Sequence, residues 1–250
     1  MTTPVSDREY WEERARRQGA GAAGYTDQAM DAYEDRLRGS AIDRLLGSGA
    51  GRHLLDAGCG TGRWSVRLAG DGWIVTGADI SGGLIALAAK APNVNYIERA
   101  VQELDLPTAG FDAWLSVTAL QHITVQSEFG DAIDNLTRML RPGGVAAVLE
   151  YAPLRLVGHM PNYLRARNRG QWLKAVTSRG YMLRSETGIR FLGHIPYMLS
   201  VRSLRRFKQP APTLHALRAL CWAGDLALAR VPGITLLADV RLMVFQKKTP

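Results

Sequence analysis

From Arg52 onward, short apolar runs alternate with helical segments. Residues 53–55, 73–75, 95–97, 113–117 and 145–149 read as strands. Helical patterns begin near Arg63, cover residues 84–89 and cover residues 127–140. This alternation predicts a mostly parallel sheet with helices on both faces. The unbroken run at 145–149 is what a central strand covered on both sides needs. Upstream, residues 10–17 and 31–46 carry good helix formers, separated by a Gly/Ala stretch at 19–24. After Glu150 the regularity weakens. A helix over 171–179 ends at Gly180, a strand follows at 181–189, a helix at 213–230 and a last strand at 240–247. The piece from 192 to 235 is too long for a simple connection and is expected to be an insertion over the ligand-binding edge of the sheet.

Composition adds bounds. With 250 residues, 46% hydrophobic and 22% charged, the chain reads as one globular domain over 1–250. Residues 1–50 read as helical, 51–150 as the alternating core and 151–250 as a basic region. No apolar run is long enough to span a bilayer. The first thirty residues carry Asp7, Glu9, Glu12 and Glu13 in place of a secretory signal's apolar stretch, so a cytoplasmic protein is expected. Two cysteines, Cys59 and Cys221, suggest neither a disulfide framework nor a thiolate metal site, and no His, Asp or Glu cluster has metal-ligand spacing. The net charge of +8 is uneven: residues 151–250 hold 17 Lys and Arg against 3 Asp and Glu, whereas the two preceding segments are net acidic. Such a field attracts anions, membrane headgroups or nucleic acid, or is simply a solvated face.

The most informative stretch is Asp56-Ala57-Gly58-Cys59-Gly60-Thr61-Gly62, between the first strand and a helix. Glycines so placed allow a tight turn and close backbone approach to a ligand, and the helix start offers free N–H donors. A dinucleotide loop would need its third glycine at 63, where Arg63 stands. The acid at Asp56 instead suits a ligand with an ammonium or sulfonium group. Asp79, closing the second strand 21 residues after Gly58, can accept hydrogen bonds from a ribose.

On these residues the chain resembles the class I S-adenosylmethionine-dependent methyltransferases. Residues 53–62 look like their first motif, Gly77-Ala78-Asp79-Ile80-Ser81 like their second, and Leu140-Arg141-Pro142-Gly143-Gly144 like the turn before their fifth strand. Tyr10-Trp11-Glu12-Glu13-Arg14-Ala15 is similar to the helix that closes over the cofactor in relatives. The resemblance implies a Rossmann-like α/β fold, with a seven-stranded, mostly parallel sheet whose last strand is antiparallel. It implies S-adenosylmethionine as cofactor, S-adenosylhomocysteine as product, and a cofactor set of Tyr10, Arg14, Asp56, Gly58, Cys59, Gly60, Gly62, Asp79, Ile80, Val101, Gln102, Ser116 and Thr118. The chain departs from many relatives after the third strand, where Arg99-Ala100-Val101-Gln102 stands in place of an acid that would bind the adenine amino group.

Methyl transfer from a sulfonium needs alignment and exclusion of water, and a base only for a poor nucleophile. His122, after the fourth strand, is the candidate base, with a helix-start hydrogen bond as its alternative role; Glu150 and Tyr151, at the end of the fifth, are candidates to orient a substrate or to make structural contacts. Tyr25, His159, Tyr163, His194 and Tyr197 are the substrate-side candidates. Arg165, Arg167, Arg169, Arg202, Arg205 and Arg206 suit an anionic small molecule or an acidic peptide. Nucleic acid is disfavoured, because RNA-modifying relatives bring an appended binding domain. The stretch 214–230, with Leu217, Leu220, Trp222, Leu226 and Leu228, could lie on a membrane, cap a greasy substrate or belong to the core. The expectation is methyl transfer to an O or N atom of a specialised metabolite. A peptide methyltransferase, an RNA-binding protein and a non-catalytic cofactor-binding protein are the alternatives.

Overall fold

The computed structural model describes residues 6–23, 28–156, 161–192, 213–231 and 233–249. Seven strands, β1 (His53–Ala57), β2 (Ile74–Asp79), β3 (Val94–Glu98), β4 (Phe111–Val117), β5 (Leu140–Tyr151), β6 (Tyr181–Arg190) and β7 (Val240–Lys247), form one sheet in the order 3-2-1-4-5-7-6. The first five are parallel, and β7 runs antiparallel between β5 and β6. The helices are α1 (Asp7–Gln18), α2 (Gln28–Leu46), α3 (Arg63–Gly70), α4 (Gly82–Ala86), α5 (Gln126–Met139), α6 (Arg169–Thr177) and α7 (Thr213–Leu228). This is the mostly parallel sheet that the strand and helix alternation predicts, in the Rossmann-like seven-stranded form that the resemblance implies.

The continuous apolar runs serve two cores. Successive strand residues point to opposite faces, so Leu55 and Trp114 join Phe129, Ile133 and Trp172 under α5 and α6. Their neighbours Leu54 and Leu115 join Ile42, Trp64 and Leu68 under α2 and α3. Local signals set the helix starts. At α1 the Ser6 hydroxyl accepts from the Glu9 amide at 3.2 Å while the Glu9 carboxylate accepts from the Ser6 amide at 3.0 Å.

Two elements depart from the sequence reading. The expected helix over 84–89 is a single short turn that starts earlier, because the Ser81 hydroxyl caps the Leu84 amide at 3.1 Å. The expected turn at 141–144 lies inside β5: the ladder pairs Phe111 with Leu140 and then Ala113 with Val145, so the irregularity takes up the Pro-Gly-Gly segment. Of the insertion expected over 192–235, the described part is α7 and a 3-10 turn at Ile234–Leu237.

Strand order reverses between β1 and β4, where an open α/β sheet leaves a crevice at its carboxyl edge.

Candidate functional site

An open cleft lies at that reversal, where small-molecule sites of open α/β sheets form. The loop after β1 contributes Gly58 and Gly60, the end of β2 contributes Asp79 and Ile80, and Val101 and Gln102 follow β3. The segment after β4 contributes Thr118 and His122, and Asp7 and Trp11 of α1 close the other side.

Gly58 and Gly60 adopt φ of +78° and +54°. A Cβ on Gly58 would run into the Ala119 side chain, and one on Gly60 would come within 2.9 Å of Ala23 Cβ. Glycine is therefore required for both conformation and space. Asp79 accepts the Gly60 amide on Oδ2 at 2.8 Å and the Ser81 amide on Oδ1 at 3.0 Å. A carboxylate has about four lone-pair sites, so acceptor capacity is left for a ligand's hydroxyls. Burial raises its pKa, opposed by these amides.

The wall after β4 is strained and gripped. Thr118, β-branched, sits at φ +51°, a conformation that persists only when its surroundings impose it. Its amide donates to the Leu149 carbonyl at 2.7 Å. Behind it, Glu150 Oε1 accepts from the Ser116 hydroxyl at 3.2 Å and from the Ala119 and Leu120 amides at 3.2 and 3.0 Å. Glu150 is fully buried, and burial pushes its carboxyl up to about 8. Arg167 braces the same turn through the Ile123 carbonyl at 3.1 Å, its guanidinium 3.5 Å over the Phe129 ring.

His122 lies on this turn. Its Nδ1 is 2.9 Å from the Tyr163 carbonyl, which can only accept, so Nδ1 carries the proton and Nε2 the lone pair. Burial, with a smaller contribution from Arg14, lowers its pKa to about 4, so the ring is neutral at physiological pH. Trp11 meets the His122 ring edge-on at 4.8 Å, and Tyr10 stacks on Tyr163 at 4.8 Å. Helix α1 is also latched by polar contacts: Arg8 to the Ile80 carbonyl at 2.7 Å and Glu12 to the Gly83 amide at 3.2 Å.

The structure thus brings Gly58, Gly60, Asp79, Ile80, Val101, Gln102, Thr118 and His122 to one cleft. Other sequence candidates stand behind or beside it. Asp56 is buried and accepts from the Ser65 hydroxyl at 2.6 Å, with burial pushing its carboxyl up to about 7. Cys59 is buried, Gly62 precedes α3, and Ser116 faces Glu150. Tyr10 and Arg14 belong to the roof, joined by an Arg14 Nη1 to Tyr10 hydroxyl bond at 3.3 Å. Glu150 and Tyr151 do not line the cleft: Glu150 Oε1 is taken up by the β4 turn while its buried Oε2 makes no hydrogen bond, and Tyr151 packs against the core beneath α2 and α3. Tyr163 does not line the cleft but stacks on Tyr10 and, at 5.8 Å, on the cleft residue His122. Tyr25, His159, His194 and Tyr197 lie outside the described residues. Sequence reasoning does not single out Asp7 as a cleft residue, nor Trp11 apart from its helix. Their helix reaches the site by tertiary contacts that no local pattern announces.

A methyltransferase-domain profile matches residues 54–144, the segment that supplies most of this cleft. Over that segment the chain is similar to S-adenosylmethionine-dependent methyltransferases. It is similar to the O-methyltransferase resE of Aspergillus sclerotiorum, 30% identical over 161 residues covering 61% of this chain and 54% of that protein. Among solved structures it resembles the (4+2)-cyclase SpnF, with a TM-score of 0.60, 24% identity and coverage of 86% of this chain and 81% of that one. It also resembles the 1,6-didemethyltoxoflavin-N1-methyltransferase of Burkholderia thailandensis, bound to 1,6-didemethyltoxoflavin and S-adenosylhomocysteine, with a TM-score of 0.59, 15% identity and coverage of 100% and 94%. These two likenesses show the fold. The chain spans less than two thirds of the length of the curated relatives it matches.

Proposed function

We propose that this methyltransferase moves a methyl group from S-adenosylmethionine to an oxygen or nitrogen atom of a small specialised metabolite. The observation that carries the reading is the cleft at the strand-order reversal, where a glycine cradle too tight for any Cβ stands beside the Asp79 carboxylate. The residues fit an adenosyl ligand: Asp79 would hold the ribose hydroxyls, Ile80 and Val101 offer apolar surface for the base, and the Gly58–Gly60 backbone admits the amino-acid tail. Bound there, the cofactor supplies an electrophilic methyl group.

The chain's own work is alignment and exclusion of water. Helix α1 roofs the cleft with Trp11. His122, neutral and with its lone pair on Nε2, accepts a hydrogen bond from a substrate hydroxyl or amine and so orients it. Its low basicity suits that role better than outright proton abstraction. Glu150 acts one step removed, as a positioning residue that holds the turn carrying Thr118 and His122. The O-methyltransferase name of a 30% identical relative supports oxygen as the acceptor. An acidic peptide substrate is the second reading, favoured by the basic excess of residues 151–250.

Calorimetric titration with S-adenosylhomocysteine, followed by labelled-methyl transfer to a panel of phenols, carboxylates, amines and acidic peptides, tests both readings. Micromolar binding, roughly −8 kcal/mol, with transfer to a small molecule is expected. Absence of binding overturns the cofactor assignment, and transfer confined to peptides replaces the substrate class.

A further inference from the structure

The three acidic residues among the last hundred are all turned inward. Glu186, its side chain 10% exposed, pairs with Arg169 at 2.7 Å and Arg241 at 2.9 Å. Asp239 pairs with Arg190 at 2.9 Å. Asp225 is fully buried and accepts the Phe191 and Leu192 amides at 3.1 and 2.6 Å. The basic side chains left outside, among them Arg155 and Arg230, have no exposed acid of the same region to offset them. Arg202, Arg205, Arg206 and Lys208 add positive charge in the sequence just before α7.

The same region exposes apolar surface. Helix α7 shows Leu220, 71% exposed, and Leu226 to solvent, with the exposed Ala219, Ala223 and Ala227. These positions fall at helical spacing and form one stripe. Leu237, 69% exposed, and Leu236 follow on the turn before β7. Leu154 and Leu156, on the segment leaving β5, are also exposed. These segments meet at one corner of the sheet. Ala152 donates to the Asp239 carbonyl at 2.7 Å, Arg241 binds the Ala152, Leu236 and Ala238 carbonyls at 2.6 Å, and Asp225 ties α7 to the end of β6. Single exposed leucines are ordinary, but a cluster at one corner marks an interaction surface.

We propose that this corner docks on an anionic lipid bilayer, with the outer stripe of α7 and Leu236–Leu237 entering the headgroup region and the exposed Arg155 and Arg230 facing anionic headgroups. An apolar stripe flanked by uncompensated positive charge is the composition that lies in such an interface. A second copy fits worse, because it would bring two strongly basic surfaces together. The stripe offers depth without side-chain hydrogen-bonding groups, which favours lipid over a peptide. No described helix is long and apolar enough to cross a membrane, so the contact is peripheral.

The test is sedimentation of the full chain with vesicles of phosphatidylcholine alone and with one third phosphatidylglycerol, at low and high salt. A Leu220→Glu, Leu237→Glu double variant is run alongside; neither residue lines the cleft, so its thermal unfolding and S-adenosylhomocysteine affinity serve as controls for folding. Binding to the anionic vesicles only, weakened by salt and reduced about tenfold or more in the double variant, is expected. Absence of binding at low salt overturns the proposal, as does equal binding by the double variant. A dimer in light scattering that the double variant dissolves would assign the face to a second copy instead. Because cofactor affinity is read separately, failure here leaves the methyl-transfer reading standing.

Discussion

The Gly60 amide donates to Asp79 Oδ2 at 2.8 Å, joining the loop after β1 to the end of β2. The carboxylate proposed to hold a ribose is thus also the tie that shapes the glycine cradle. Replacing Asp79 with Ala removes the ligand's acceptor and leaves the Gly60 and Ser81 amides without their partner, a cost of about 1–3 kcal/mol per buried group. Affinity for S-adenosylhomocysteine is expected to fall by roughly 10- to 100-fold in calorimetry. An unchanged affinity would remove Asp79 from the site.

Thr118 stores strain that the binding wall does not strictly need. Asparagine tolerates positive φ far better than a β-branched residue. Thr118→Asn is therefore expected to stabilise the fold by about 1 kcal/mol, raising Tm by roughly 2–4 °C. A lowered Tm would show that the Thr118 methyl packs usefully. Glu150 holds the Ala119 and Leu120 amides that follow Thr118, so Glu150→Ala is expected to lower Tm and kcat together, while Glu150→Gln, which keeps an acceptor for both amides, rescues most of kcat.

His122→Ala is expected to lower kcat by about 10- to 100-fold with KM for the cofactor changed only a few-fold. Because the ring titrates near 4, the kcat profile of the wild type should show no His122 limb between pH 5.5 and 8. A limb near 6.5 that vanishes in the variant would instead make His122 an ordinary titrating base.

Stability should respond to pH on two limbs with opposite signs. Glu150 titrates near 8 in the folded chain and near 4.5 when unfolded, so the native state holds a proton that the unfolded state releases. Its contribution is complete at low pH and is lost as pH rises from about 5 to about 8. His122 behaves the other way: its folded value near 4 lies below the ordinary 6.5, so stability is lost as pH falls from 6.5 toward 4. Thermal unfolding across this range is expected to show a shallower alkaline limb in Glu150→Gln and a shallower acid limb in His122→Asn. Curves parallel to wild type would refute the assignment.

The parts of this site legible in the sequence are those set by backbone demands. A glycine at a positive φ directly after a strand, or an acid at a strand's end, is visible because the local chain itself requires it. Glu150 is harder. Its place at the end of β5 is readable, but its partners are Ser116 and two amides on another strand's turn. The available signal is that Ser116 and Glu150 are polar residues inside apolar runs of two central strands, and such residues satisfy each other more readily than a ligand. Asp56 follows the same rule, bonding Ser65 across nine residues rather than facing the cleft.

The roof is where that legibility ends and a last prediction begins. Helix α1 begins at its own capping box, yet it binds the sheet through residues more than 70 positions away, Ile80 and Gly83. Arg8 and Glu12 are exposed or half-buried, so each latch is worth little alone, on the order of 1 kcal/mol. Loosening both with Arg8→Ala and Glu12→Gln should therefore leave the core's Tm nearly unchanged while raising cofactor KM several-fold, since the roof must then be ordered at the expense of binding. Trp11, set against His122, gives the direct readout: its emission should change on titration with S-adenosylhomocysteine in the wild type and at higher ligand concentrations in the double variant. If both proteins titrate alike, the latches do not hold the roof, and the aromatic contacts of Tyr10 and Trp11 carry that role.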